Sequence, residues 1–195
     1  MTKGELTRAR ITGAAIEAFG KKGYFEVSLD EIARLAKVQR PAIINYFTNK
    51  IGLFAACVDA VMTEFGKEYS ERSRADASAI ERLDLSFEMN VELALKKSAH
   101  AKLIVLLYYG ATVNSDLNTV YRTTLAGIRA RYESHLKAAI REHTIDPNAD
   151  TELLAVLLHE TIMGMFINFI ATGKTKDIPA MRVKWKKLKA TLLSL

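Results

Sequence analysis

Gln39, Arg40, Ala42, Asn45 and Tyr46 fall close together and carry side chains suited to reading base edges. An arginine fork pairs with guanine, glutamine and asparagine amides pair with adenine, and an alanine methyl can touch that of thymine. Other constellations are weaker. His159-Glu160-Thr161-Ile162-Met163 opens like a zinc-binding H-E-x-x-H, but methionine stands where the second histidine is needed. His100, His135 and His143 show no ligand spacing, and neither G-x-S-x-G nor a phosphate-cradling glycine loop is found. The expectation is no enzyme, no metal and no cofactor.

Base reading needs elements that hold those side chains still. The apolar period is helical throughout and predicts an all-α fold. Ile11, Ala14, Ala15, Ala18 and Phe19 make one stripe of a first helix. Thr2 and Glu5 form a candidate capping box at its start, and Gly23 after Lys21-Lys22 reads as its stop. Ser28-Leu29-Asp30-Glu31 is a second S-x-x-E box opening a short helix with Leu29, Ile32, Ala33 and Ala36 on one face. After a break at Lys37-Val38-Gln39, a third helix is expected over Arg40–Phe47. Pro41 sits in its first turn, and Ile43, Ile44 and Phe47 are expected inward. Thr48 or Asn49 would cap a long fourth helix, with further helices over 78–98, 100–112, 117–143, 150–172 and 178–194. Breaks are expected at Asn114-Ser115-Asp116, Asp146-Pro147-Asn148 and Gly173-Lys174 to Pro179.

The 195 residues, 49% hydrophobic with 10 glycines and 3 prolines, suffice for a real core. A single cysteine, Cys57, excludes an intramolecular disulfide and fits a reducing compartment. The opening Met-Thr-Lys-Gly-Glu-Leu shows no apolar signal region, and the apolar run near Leu103–Val113 is about half a membrane span. A cytoplasmic protein without a membrane partner is expected. The net charge of +6 is uneven: residues 1–50 hold nine Lys/Arg against five Asp/Glu, and residues 51–173 twelve against sixteen. The tail 174–195 holds seven against one, with Lys184, Lys186, Lys187 and Lys189 readable as the wet face of a helix. A basic head on an acidic body suits a polyanionic partner at the head.

Two short helices joined by a tight turn after a longer one make a helix-turn-helix, whose second helix enters the major groove. An ordinary αα packing unit with a solvated face has the same periodicity, and pattern alone does not separate the two. The stretch R-A-R-I-T-G-A-A-I-E-A-F-G-K-K-G-Y-F-E-V-S-L-D-E-I-A-R-L-A-K-V-Q-R-P-A-I-I-N-Y-F-T-N-K resembles the DNA-binding domain of the TetR family of bacterial transcriptional regulators. Matching positions include Ile11, Ala14, Ala15, Phe19, Gly23, Tyr24, Ser28, Ile32, Ala33, Ala36, Val38, Tyr46, Phe47, Lys50 and Leu53, about a quarter of the chain being covered.

The resemblance implies a three-helix helix-turn-helix domain over residues 1–50 and an effector-binding and dimerisation domain over residues 51–195. It implies phosphate contacts from Ser28, Tyr46 and Lys50, and base-edge contacts from Gln39, Arg40, Ala42 and Asn45. Arg8 and Arg10 add backbone contacts or merely solvate the surface. The chain also departs from the family. Lys37 replaces a usual glycine and so is expected at positive φ, which is uncommon without glycine. Gln39 replaces the usual serine or threonine cap, and Pro41 a small residue. Ile44 stands where a tyrosine usually touches phosphate, and Ile51 removes an acidic partner at the start of the fourth helix.

For the larger domain, the resemblance implies a homodimer through the last two long helices and a bound small molecule. The penultimate helix is apolar over much of its circumference, through Leu153, Leu154, Val156, Leu157, Ile162, Met165, Phe166, Phe169 and Ile170. The last carries Met181, Trp185, Leu188, Leu192 and Leu193 on one stripe. Met62, Phe65, Phe87, Tyr108, Tyr109, His159, Met163 and Phe166 are candidates to line an effector cavity, each also readable as plain core. The apolar mix favours an aromatic or acyl compound. The implied activity is repression from a palindromic operator on double-stranded DNA, relieved by the effector, with the fourth helix as lever. The rival within the same fold is an effector-independent architectural DNA-binding protein.

Overall fold

The computed structural model describes residues 2–173 and 175–193. The described chain is α1 (Lys3–Lys22), α2 (Leu29–Leu35), α3 (Arg40–Phe47), α4 (Lys50–Arg72), α5 (Ala79–Lys96), α6 (Ser98–Val113), α7 (Ser115–Arg141), α8 (Thr151–Thr172) and α9 (Ile178–Leu193). A single 3₁₀ turn, Thr175–Asp177, precedes α9. The expected all-α class is observed. Lys174, part of the expected break and of the basic tail, lies outside the described residues, as do Ser194 and Leu195 of that tail.

Local chemistry sets the ends of these helices. Thr2 and Glu5 complete the reciprocal capping box of α1, and Gly23 ends the helix at φ 92°. Ser28 caps α2 by accepting from the Glu31 N–H at 3.1 Å. The box is only half made, because the Glu31 carboxylate pairs with Lys22 of α1 instead. Asn49, not Thr48, caps α4 by accepting from the Gly52 N–H at 2.8 Å. That places Ile51 at the second position of the helix, where no capping-box partner is called for.

The chain packs as two compact units, one holding residues up to Gly66 together with Lys97–Tyr121, the other Lys67–Lys96 and the residues from Arg122 onward. The packing division therefore does not fall at residue 50. In the first unit α6 lies along α1, so closely that a Cβ on Gly20 would stand 2.7 Å from the Ala99 backbone. The core of this unit gathers Ile11, Phe19, Ile32, Ile43, Leu53 and Phe54, all sealed from solvent. Phe19 and Tyr24 meet Phe54 edge-on at 5.4 and 5.0 Å between ring centres, a favoured aromatic geometry. Cys57 is buried in the same core, its thiol directed at the Thr12 carbonyl at 3.7 Å and burial pushing its pKa to about 12.

The second unit has its own core, including Leu83, Phe87, Leu136, Leu158, Ile162, Phe169 and Trp185. Trp185 stacks on Phe87 with ring centres 5.0 Å apart, and its indole N–H donates to Asp84 at 2.7 Å. Lys189 corrects the expectation of a wholly wet lysine face. Only 12% of its side chain is exposed, and its ammonium donates to Asp84 at 2.6 Å. One turn of helix brings it onto the same side as Trp185. Arg182 adds a two-pronged bond to Glu88, so charge as well as apolar burial fixes α9 on α5. Among the described residues, α8 is long and apolar enough to cross a membrane, yet its Leu158, Ile162, Phe166 and Phe169 are buried in this core.

Candidate nucleic-acid interface

A helix turns about 100° per residue, so Ile43 and Phe47 share one face of α3. Both are buried, and this pair holds the helix on its neighbours. The opposite side carries Pro41 and Asn45, both exposed. Ile44 was expected inward and is instead 38% exposed. It lies about one step around the helix from Ile43, where no neighbouring element covers it. Sequence reasoning thus overlooked Pro41 and Ile44 as members of the outward face: the helical angle alone indicates Pro41, opposite Ile43 and Phe47, whereas Ile44 stands at the margin and its exposure depends on what packs beside it.

Two backbone positions shape the presentation of α3. Lys37 adopts φ 52°, the left-handed region its replacement of glycine required. Thr48, just after α3, adopts φ 66°, which sequence reasoning did not anticipate. There the chain reverses directly into α4: a Cβ on Gly52 would overlap the Phe47 carbonyl oxygen. Only glycine tolerates that approach.

The remaining candidates surround this helix. Gln39 caps α3 by position without a side-chain bond, which leaves its amide unspent. Arg40 is exposed and paired with Asp30 of α2 at 3.0 Å, an interaction worth about 0–1 kcal/mol in water. Ala42 is half-buried, Asn45 exposed, and Tyr46 38% exposed. The Tyr46 hydroxyl reaches α1, where a Cβ on Gly4 would stand 3.5 Å from it. Arg8 of α1 lies 5.0 Å over the Phe47 ring. Lys50 is drawn inward: its ammonium sits 4.6 Å over Tyr24 and 3.5 Å from the Phe25 carbonyl oxygen, and burial lowers its pKa. Ser28 uses one lone pair of its hydroxyl in the cap and keeps its proton for another acceptor.

The residues expected around an effector are distributed over both units. Met62, Phe65, Tyr108 and Tyr109 belong to the first, and Phe87, His159, Met163 and Phe166 to the second. Tyr109 is 59% exposed and packs edge-on against Phe25, so it is a surface residue. Its side of α6 faces away from the side that buries Leu103, Leu107 and Gly110. Tyr108 packs on Tyr121 at 5.0 Å. In the second unit, Phe87 and Phe166 line an apolar cavity of about 10 Å³ with Val91, Ile162, Phe169 and Met181. His159 is buried beside Tyr132, and burial followed by the charge of Arg129 lowers its pKa to about 4.

A second short helix locked by two buried side chains, with Gln39, Arg40 and Asn45 exposed on it, is the arrangement of a helix-turn-helix DNA-binding protein. The description "Bacterial regulatory proteins, tetR family" matches residues 11–57. The chain is 30% identical over 171 residues to the HTH-type transcriptional regulatory protein RaaS of Mycobacterium tuberculosis, covering 87% of this chain and 74% of that one. It is 24% identical to the HTH-type transcriptional regulator TtgR of Pseudomonas putida, covering 92% and 87% of the two chains. The fold superposes on FadR of Bacillus subtilis, solved in complex with stearoyl-CoA, with a TM-score of 0.83 and 23% identity over 95% of this chain and 97% of the other. The chain belongs to the TetR family and is a DNA-binding transcriptional regulator.

Proposed function

We propose that the protein is a repressor that binds a palindromic operator as a homodimer and leaves it when a small apolar or aromatic effector binds. The observation carrying this reading is the outward face of α3, held in one orientation by buried Ile43 and Phe47. In this reading Gln39, Arg40, Ala42 and Asn45 meet base edges, joined by Pro41 and Ile44. Ser28, Tyr46 and Lys50 hold phosphates. Lys50 swings outward from Tyr24 to do so, and Arg40 exchanges Asp30 for a base.

The dimer forms through α8 and α9. Leu153 at 52% and Val183 at 54% exposure are large apolar side chains left on their outer surfaces, and a second copy covers them. Two-fold symmetry then places the recognition helices about 34–36 Å apart, or a multiple of that, for successive major grooves. The functional division follows the expected one, residues 1–50 for DNA and 51–195 for effector and partner. A bound effector favours a conformation in which the two α3 helices no longer match the grooves, with α4 transmitting the change.

Fluorescence anisotropy of the full-length protein on labelled DNA from upstream of its own gene tests this, with unrelated competitor DNA at two salt concentrations. Binding that survives competitor is expected. Binding erased equally by any DNA overturns the operator-specific reading in favour of an architectural role.

A further inference from the structure

The second unit contains a polar cluster that neither its core nor its surface ion pairs account for. The Tyr69 hydroxyl, at the end of α4, lies 3.0 Å from His135 Nε2 of α7 and 3.3 Å from the Arg82 carbonyl oxygen of α5. Arg131 of α7 lies 5.8 Å over the same tyrosine ring. Ser86, one turn beyond Arg82, is buried, and its hydroxyl donates to the same Arg82 carbonyl oxygen at 3.1 Å. An imidazole, two hydroxyls and the Arg131 guanidinium thus gather here, and the Arg82 guanidinium, which donates to the Ala75 carbonyl oxygen at 3.4 Å, is near enough for its charge to bear on Tyr69 and His135.

Their charge is not compensated. The surface arginines nearby have acids: Arg72 pairs with Glu68 and Glu92, Arg129 with Glu160, and Arg182 with Glu88. Arg82 and Arg131 have no carboxylate partner among the described residues. Arg82 donates through Nη2 to the Ala75 carbonyl oxygen, while its Nε is buried without a hydrogen-bond partner, a cost that an acceptor placed there would relieve. The field is felt by His135, whose pKa is lowered by burial and then by Arg82 and Arg131.

The cluster is also next to apolar space. Arg82, Ser86 and Asn90 are successive turns of one α5 face, and Asn90 donates to the Ser86 carbonyl at 2.8 Å. Asn90 lines the cavity formed with Phe87, Phe166, Phe169 and Met181. From Arg82 to Asn90 the helix advances about 12 Å. The cavity holds only about 10 Å³, and the flexible Met181 in its wall is the side chain that yields to admit a chain-like body.

We propose that Tyr69, Arg82, Ser86, Arg131 and His135 form a binding site for the anionic head of an amphiphile, a carboxylate or phosphate, whose apolar body lies along α5 toward Phe87 and Phe166. This assignment rests on the reading of the protein as effector-controlled, and supplies the chemistry of the effector. An anion accepts a hydrogen bond from Arg82 Nε and offsets the charge of the two guanidinium groups, a carboxylate by half and a phosphate dianion in full. A neutral apolar compound would leave them unsatisfied.

Calorimetric titration of the full-length protein with decanoate, decanol and inorganic phosphate, run separately from the DNA assay, tests the site. Decanoate should bind at least about tenfold tighter than decanol, the difference a charge-assisted hydrogen bond supplies. Arg131→Gln should abolish that preference, Arg131→Lys should retain most of it, and both should melt near the parent temperature. Tyr69→Phe offers a milder variant that should weaken decanoate but not decanol. Equal binding of decanoate and decanol, unchanged preference in Arg131→Gln, or no binding of decanoate overturns the site. Inorganic phosphate binding as tightly as decanoate overturns the amphiphile and leaves a free-anion site. Decanoate that binds with the expected preference yet leaves DNA affinity unaltered overturns effector control and not the site.

Discussion

The carbonyl oxygen of Phe47 occupies the space that a Cβ on Gly52 would need. Phe47 is the last residue of α3 and Gly52 lies in the first turn of α4, so the two helices join at a point where one backbone rests on the other. A side chain at 52 must push α3 away from the core that orients it. Gly52→Ala is expected to cost about 1–3 kcal/mol of stability and to weaken DNA binding beyond that loss. Denaturant midpoints and operator anisotropy check this; a variant unchanged in both would show that the junction has slack.

Lys37 offers the opposite test. Its φ of 52° is costly for a residue with a Cβ, whereas glycine adopts it freely. Lys37→Gly should stabilise the protein by about 0.5–1 kcal/mol, after the entropy lost by a more flexible unfolded chain is counted. Urea denaturation measures it, and a lower midpoint would mean that the lysine side chain contributes more than the strain it imposes.

Base reading and phosphate holding predict different signatures. Asn45→Ala should reduce affinity for the operator by about 1–3 kcal/mol while leaving non-specific binding nearly intact. Lys50→Ala should weaken all DNA alike and lower the salt slope by about one. Anisotropy titrations at several salt concentrations distinguish them. An unaltered slope for Lys50→Ala would mean that its ammonium stays over Tyr24 when DNA is bound.

Asp84 receives both the Trp185 indole and the Lys189 ammonium. Asp84→Asn leaves the nearly buried lysine without its counter-charge and should cost about 1–3 kcal/mol. Trp185 is the chain's only tryptophan, so its emission should change in the same variant. A melt and an emission spectrum suffice; unchanged values of both would assign α9 docking to apolar contacts alone.

His159 predicts a pH dependence. Its folded pKa of about 4 lies below the ordinary histidine value, so the unfolded chain binds the proton more readily. The contribution of the neutral, buried imidazole is full above about pH 6.5 and is lost progressively as pH falls toward 4. The size is about 3 kcal/mol. His135 is shifted in the same direction and adds to the trend. Comparing the parent with His159→Gln from pH 7 to 4 isolates the contribution. Parallel stability curves would contradict it.

Much of this was legible in the residues. The Thr2–Glu5 box, the Gly23 stop and the positive φ at Lys37 all follow from short-range backbone chemistry, which sequence states directly. What escaped depends on neighbours distant in the chain. Ile44 is apolar, yet nothing packs on its side of α3. Lys189 is charged, yet it is drawn inward by an aspartate 105 residues away. Glu31 completes no box because Lys22 competes for it. The cluster around Tyr69 draws on three helices separated in sequence, so no spacing within any one of them announces it.

The sealed thiol of Cys57 has a practical consequence. With its ionisation pushed to about 12 and no path to solvent, the folded DNA-binding unit presents no reactive sulfur. A thiol-specific dye can label this protein only when the α1–α4 seam opens, so the rate of labelling is a clock for the breathing of that seam. A second cysteine placed on the surface would take a fluorophore selectively, with the native one left in place.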